Sequence, residues 1–109
     1  MTFDAYDRSL DMQRALAPIV KLLATHDADL TKQLRRAAAS VTLNISEANR
    51  RAGKDRSHLF RVALGSAAEV TACIDTAVAH ELIDLERAAA ALSLADRIRA
   101  MTFRLSRRA

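Results

Sequence analysis

The chain has 109 residues, half of them apolar but only 4% aromatic, and its 17 Lys and Arg against 13 Asp and Glu give a net charge of +4. This length suits a single domain, 1–109, and the alanine-rich, aromatic-poor composition favours an all-α fold over a sheet. The lone cysteine, Cys73, excludes an intrachain disulfide and a cysteine-based zinc site, and the charged N-terminus and short uncharged runs predict a cytoplasmic protein without signal peptide or membrane span.

The first helix is predicted at about residues 5–25, where apolar residues recur at helical spacing after Met12. Pro18 lies inside this stretch, where a proline removes one backbone donor and clashes with the preceding turn. We therefore expect a kink near residues 15–17, or two short helices in series.

The second helix is predicted to begin at a cap formed by Asp27 or Asp29 and to run to about Arg51. Its apolar residues alternate steps of four and three, the spacing of a seam that faces neighbouring helices: Leu30, Leu34, Ala37, Val41, Ile45 and Ala48. Gly53 is expected in the left-handed conformation just past the end of this helix, as its stop.

The third helix, at about residues 56–81, is predicted to be capped by Asp55 or Ser57 and is apolar on nearly every side. Such a helix needs cover all round, and three other helices of so small a chain cover only part of it. A second subunit is therefore expected to cover the rest.

The fourth helix is predicted to begin at Asp84 and to end near Arg107. Its seam residues are Leu85, Ala88, Leu92, Ala95 and Ile98. Four helices joined by short connections predict an antiparallel up-down-up-down four-helix bundle.

Polar residues follow one stripe of the second helix, and the third helix adds Ser66 and Glu69. A buried carboxylate needs a cation or several donors, and Arg36 lies nearest to Glu69 by height on paired helices. We interpret these residues as a structural polar network: Arg36, Ser40, Asn44, Glu47, Ser66 and Glu69. The alternative is that Glu47 or Glu69 is catalytic.

Other signs of catalysis are few. None of the three histidines has a glutamate three residues before it, as a di-iron bundle requires, and the sequence has no glycine-rich phosphate loop and no clear nucleophile and base pair. We therefore expect no enzyme activity, no metal and no cofactor.

Basic residues are segregated along the chain. Residues 30–61 hold eight Lys and Arg against two acids, and residues 97–109 hold five Arg and no acid. The residues predicted to contact nucleic acid cluster at and near the end of the second and third helices: Lys32, Arg35, Arg50, Arg51, Lys54, Arg56 and Arg61. The aromatic residues form no evident stacking platform, so binding through the phosphate backbone, with little sequence specificity, is expected.

Three segments resemble a known family: QLRRAAAS at 33–40, NISEA at 44–48 and FRVALGSAAE at 60–69. They are similar to the four-helix-bundle proteins encoded in intervening sequences of bacterial 23S rRNA genes, a family that includes accessory variability proteins of diversity-generating retroelements. The resemblance implies a homo-oligomeric ring that binds nucleic acid and a partner such as a reverse transcriptase, and it favours a homopentamer. It also implies that the polar network forms a shared core.

Two positions depart from the family pattern. Ala48 stands where the family usually has glycine, and Thr42 stands where it often has proline. A straighter and longer second helix is expected from these changes.

Our hypothesis is a non-enzymatic homo-oligomeric bundle that binds RNA or DNA through basic surfaces, as an accessory factor for a reverse transcriptase or an rRNA-associated element. The alternative is a protein–protein interaction scaffold that does not bind nucleic acid. A third hypothesis is an enzyme that uses Glu47 or Glu69 in a cleft between subunits.

Overall fold

The computed structural model describes residues 2–108, and within them the side chains of residues 4–108. The described residues form four α-helices and no strand: α1 (Thr2–Ala24), α2 (Ala28–Ala48), α3 (Gly53–Ala79) and α4 (Leu85–Ser106). The all-α prediction with four helices is therefore confirmed. The molecule measures 42 × 22 × 19 Å, so the helices, of about 32–40 Å at 1.5 Å per residue, lie along its long axis.

α1 is one helix, and the expectation of two short helices in series is wrong. Pro18 is exposed, whereas Leu16, Ile19 and Leu23 on both sides of it are buried in the core. Burial of these side chains holds the helix together through the proline, because each contributes about 1.5–3 kcal/mol by leaving water.

α2 begins as predicted and ends earlier. The Asp27 carboxylate caps it by accepting a hydrogen bond from the Leu30 amide at 3.0 Å. The last helical residue is Ala48, and Asn49 is the C-cap, whose amide donates to the carbonyls of Ile45 and Glu47. The predicted end near Arg51 is therefore three residues too late.

Gly53 has the expected left-handed conformation, with φ +59°, but it is the first residue of α3 and not the stop of α2. Ala52 is the N-cap and offers no side-chain hydrogen bond, so the predicted caps Asp55 and Ser57 are wrong. Both lie inside the first turns of α3. The Ser57 hydroxyl is buried and has no hydrogen-bond partner among the described residues.

α4 begins at its predicted cap, where Asp84 Oδ1 accepts a hydrogen bond from the Arg87 amide at 2.7 Å. Its buried seam includes Ala88, Ala91, Ala95 and Ile98. Leu85 was predicted in this seam, but it is 62% exposed, whereas Ile83, two residues earlier, is buried in the core. The side chain of Leu85 therefore faces away from the core.

One hydrophobic core receives side chains from all four helices, with Phe60 as its largest fully buried residue. Many of its members are alanines, which allow helix backbones to approach closely. Packing joins α1 to α2, α2 to α3, α3 to α4 and α4 to α1, so the helices surround the core in chain order.

Hydrogen bonds fix how α1 lies against α2. Gln13 Nε2 donates to the Ala38 carbonyl at 2.7 Å and to Thr42 Oγ1 at 2.9 Å, and Thr42 Oγ1 donates to Ser9 Oγ at 3.1 Å. Residues near the start of α1 therefore lie beside residues near the end of α2.

Part of α3 is uncovered in the single chain. Gly65, Glu69 and Ala72 are exposed on its outer face, and Leu59 is only partly buried. By length and composition α3 is also apolar enough to cross a membrane, but one such helix is weak evidence because core helices of soluble proteins share these properties.

Candidate nucleic-acid interface

Residues 49–57, named here the corner, connect α2 to α3 at one end of the molecule. After α2 ends, the amides of Arg50 and Arg51 close two tight turns by donating to the carbonyls of Glu47 and Ala48. Ala52 is extended, with φ −134° and ψ 162°, and α3 then begins. This short connection directs four consecutive exposed residues, 50–53, into solvent.

The cations of the corner differ in their surroundings. Arg50 and Lys54 are exposed and have no salt bridge among the residues described. Arg51 Nε donates to Glu47 Oε2 at 2.9 Å, and its Nη1 lies 4.0 Å from Asp55 Oδ2. Arg56 is partly buried, and its guanidinium carbon lies 4.9 Å from the centre of the Phe60 ring. Arg50, Lys54 and Arg56 are therefore the cations without a carboxylate partner here.

The seven predicted basic residues do not form one cluster. Lys32 precedes Arg50 by 18 residues of α2 and the corner, a separation of about 27 Å along a helix axis. Arg35 instead lines a groove between α1 and α2 together with Lys21. The corner and Arg61, which follows in α3, hold the other five.

Three arginines at the end of α4 lie at the same end of the molecule as the corner. The beginning of α4, at Arg87, shares a cavity with Leu22 and Val78, near the ends of α1 and α3. Its 22 residues span about 33 Å, which fits only along the 42 Å axis. α4 therefore ends beside the beginning of α3, and the exposed residues Arg104, Arg107 and Arg108 join the corner; we call this set the basic end.

The sequence shows these arginines as a basic segment, but the predicted nucleic-acid interface did not include them. The signal was present, because a helix that starts where α3 ends and has similar length must return to where α3 begins. Their proximity to the corner follows from that return.

The polar network is present in part. Ser40 Oγ and Ser66 Oγ are 2.7 Å apart, and Asn44 Nδ2 donates to Ser40 Oγ at 3.0 Å and to the Ser40 carbonyl at 2.8 Å. These hydrogen bonds join α2 to α3. Glu47 takes part in the ion pair with Arg51 instead.

The predicted buried pair of Arg36 and Glu69 is wrong for the described chain. Both side chains are exposed, and neither forms a salt bridge within residues 4–108. They line an open cleft of about 400 Å³ with Ser40 and Ser66. Glu69 lies on the outer face of α3, where water solvates its charge and no cation is required.

Cys73 is buried on α3. Burial raises the pKa of its thiol, because an apolar surrounding disfavours the thiolate, and the negative charge of Glu69 raises it further. Such a thiol is a poor nucleophile at neutral pH. In the part of the chain that the structure describes, no three His, Cys, Asp or Glu side chains lie together as metal ligands.

Comparison with known proteins identifies the family. The family model described as 23S rRNA-intervening sequence protein matches residues 1–104. The chain belongs to this family. It is similar in structure to a protein of unknown function from the S23 ribosomal protein family of Bacteroides thetaiotaomicron, with a TM-score of 0.87 and 21% identity over 94% of this chain and 98% of that chain. At this identity the likeness shows the fold alone. No curated protein matches the chain.

In this member of the family, the structure shows what surrounds the two positions that depart from the family pattern. Thr42 is the residue that accepts from Gln13 and donates to Ser9, a role that proline does not perform. Ala48 is fully buried as the last residue of α2. The hydroxyl at position 42 thus links α2 to α1.

Proposed function

We propose that this protein is a non-enzymatic, homo-oligomeric bundle that binds RNA or DNA through its basic end with little sequence specificity. The observation that carries the proposal is the group of corner cations without a carboxylate partner, Arg50, Lys54 and Arg56. Phosphate groups are the natural partners of such cations, and their contacts carry no sequence information.

For the assembly, we propose that antiparallel up-down-up-down bundles associate head to tail into a closed ring, with five subunits as the expected number. Two observations support a contact between copies. Leu43 on α2 is 66% exposed, and the outer face of α3 carries the small residues Gly65 and Ala72, which allow close approach. In a ring, the basic ends would repeat on one side, so that many weak phosphate contacts act together.

The family description supports a role beside rRNA or a related element. We further propose a protein partner such as a reverse transcriptase. We propose a cytoplasmic location for this role. A protein–protein interaction scaffold is the second candidate. The two exposed leucines, Leu43 on α2 and Leu85 on α4, favour it because they offer apolar surface to a protein partner.

The test compares two triple variants with the same change in charge. One neutralises Arg50, Lys54 and Arg56 to Gln, and the matched control neutralises Lys21, Lys32 and Arg35. Binding to mixed-sequence RNA is measured by fluorescence anisotropy between about 50 and 200 mM salt, where phosphate contacts respond strongly. The corner variant should bind more weakly, and its slope of log affinity against log salt should fall by about 0.7 for each lost contact to a single strand.

Equal loss in both variants would mean that net charge alone attracts RNA and would contradict an interface at the corner. If the parent does not bind at the lowest salt, the scaffold becomes the better explanation. Light scattering on the same samples tests the assembly, and a monomer at micromolar concentration would refute the ring.

A further inference from the structure

Phe103, in the last turns of α4, is an aromatic ring that the single chain leaves half exposed, at 50%. Phe60 is fully buried and Tyr6 is partly buried, so Phe103 is the exposed aromatic ring among residues 4–108. The guanidinium carbon of Arg107 lies 5.4 Å from the centre of the Phe103 ring, within the range of a cation–π contact. One exposed apolar side chain alone needs no explanation, but this one lies among cations.

The stretch of α4 and the tail that carries the ring has charges of one sign only. Residues 97–108 contain five arginines and no acid. Arg104, Arg107 and Arg108 form no salt bridge with any residue that the structure describes. Arg107 follows Phe103 by one turn, about 6 Å along the helix axis. Along this part of the chain, the charged neighbours of the ring are therefore cations, which attract phosphate.

The location of the ring matters as much as its surroundings. It belongs to the turn of α4 that lies beside the corner, at the basic end. A strand whose phosphates bind the arginines at the end of α4 would bring its bases to this ring, where they could stack on the aromatic face or on the Arg107 guanidinium.

We infer that the basic end takes single-stranded nucleic acid, with Phe103 stacking on an unpaired base while Arg104, Arg107 and Arg108 hold the neighbouring phosphates. This inference rests on the proposed function and names its substrate class. A duplex presents phosphates to the arginines equally well. Its bases, however, are already stacked inside the double helix and are not available to stack on an exposed ring. Stacking is indifferent to base identity, so the inference agrees with binding of low sequence specificity.

The experiment replaces the ring without changing charge. Phe103→Leu keeps an apolar side chain but removes the aromatic face, and Phe103→Trp keeps an aromatic face. Each is titrated against a mixed-sequence single-stranded RNA without internal pairing and against the duplex formed with its complement. We expect Phe103→Leu to weaken single-strand binding about 5- to 150-fold, the range of one lost stacking contact. Phe103→Trp should bind like the parent, and duplex affinity and the salt slopes should not change.

Two results would overturn the inference while leaving nucleic-acid binding intact: an unchanged single-strand affinity for Phe103→Leu, or an equal loss for both probes. A change in oligomeric state of Phe103→Leu, measured by light scattering, would overturn it by placing the ring in a contact between copies. If the parent binds neither probe, the proposed function fails together with the inference.

Discussion

Replacing each of the two glycines with alanine should change the free energy of unfolding in opposite directions. Gly65 and Gly53 both have open space around the position of an added methyl group, with no atom within 4 Å. They differ in backbone conformation, because Gly53 has φ +59° and Gly65 lies within α3 without a positive φ. Steric contact is thus equal, and conformation alone distinguishes the two substitutions.

At a protein concentration too low for assembly, Gly65→Ala should stabilise the single chain by about 1 kcal/mol, because alanine in an exposed helix interior loses less conformational entropy on folding than glycine. For a domain of this size, that raises the melting temperature by roughly 4–8 °C. Where copies associate, the added methyl group would lie on the α3 face proposed for their contact and should weaken it. Gly53→Ala should destabilise it by about 1–2 kcal/mol, because the methyl group of an L-residue meets its own carbonyl in the left-handed conformation.

The assay is thermal unfolding followed by circular dichroism at two protein concentrations, because subunit association makes the midpoint depend on concentration. A lower melting temperature for Gly65→Ala at the lower concentration would refute the assumption that this position faces solvent. If the drop were larger at high concentration, position 65 would lie within a contact between subunits, because association stabilises the parent most at high concentration. An unchanged midpoint for Gly53→Ala would refute the assignment of left-handed strain.

Three other changes test separate parts of the structure. Asp84→Ala should cost about 1 kcal/mol in thermal unfolding by removing the cap of α4, while Asp84→Asn keeps most of that stability. Glu69→Ala should change the free energy of unfolding in urea by less than about 0.5 kcal/mol, because the carboxylate is exposed. A loss of about 3–5 kcal/mol, as for a broken buried ion pair, would contradict this. Because the pKa of Cys73 is raised, its reaction with a disulfide reagent should be slow at neutral pH and should accelerate only above about pH 8.5, the ordinary thiol pKa. Glu69→Gln should shift this dependence of the reaction rate on pH to lower pH, because it removes a negative charge that raises the pKa. The folded thiol holds its proton more tightly than the unfolded one, so its contribution to stability is complete below about pH 8.5 and is lost as the pH rises through the folded pKa.

The number of helices and two of their starts could be predicted from the sequence because these features depend on local chemistry. Asp27 and Asp84 each precede a run of helix-forming residues, and each accepts the amide hydrogen bond that a cap requires. Gly53 shows where such reasoning stops. A glycine that needs positive φ serves the end of one helix or the beginning of the next equally well, and the sequence does not distinguish the two sides.

The sequence pattern predicted burial for Glu69, but the side chain is exposed. Glu69 lies amid alanine and cysteine along the chain, which suggested burial, but it faces away from the core. Apolar neighbours in sequence are not neighbours on the helix surface, since successive residues turn by about 100°. The basic end raised a similar difficulty, because Arg104 and Arg50 come together only through the return of α4.

The polar contacts of α2 explain how a core of small residues holds the corner in one place. Small alanine side chains interlock little, so packing alone does not strongly fix the relative height of two such helices. Hydrogen bonds with fixed geometry do fix it. Thr42 bonds to α1 on one flank of α2, and Ser40 bonds to Ser66 of α3 on the other. Both lie within eight residues of the last residue of α2, Ala48, after which the corner begins. The heights of α1 and α3 are therefore fixed close to the basic end, where a shift of one turn would move the cations by about 5.4 Å relative to the last turn of α4.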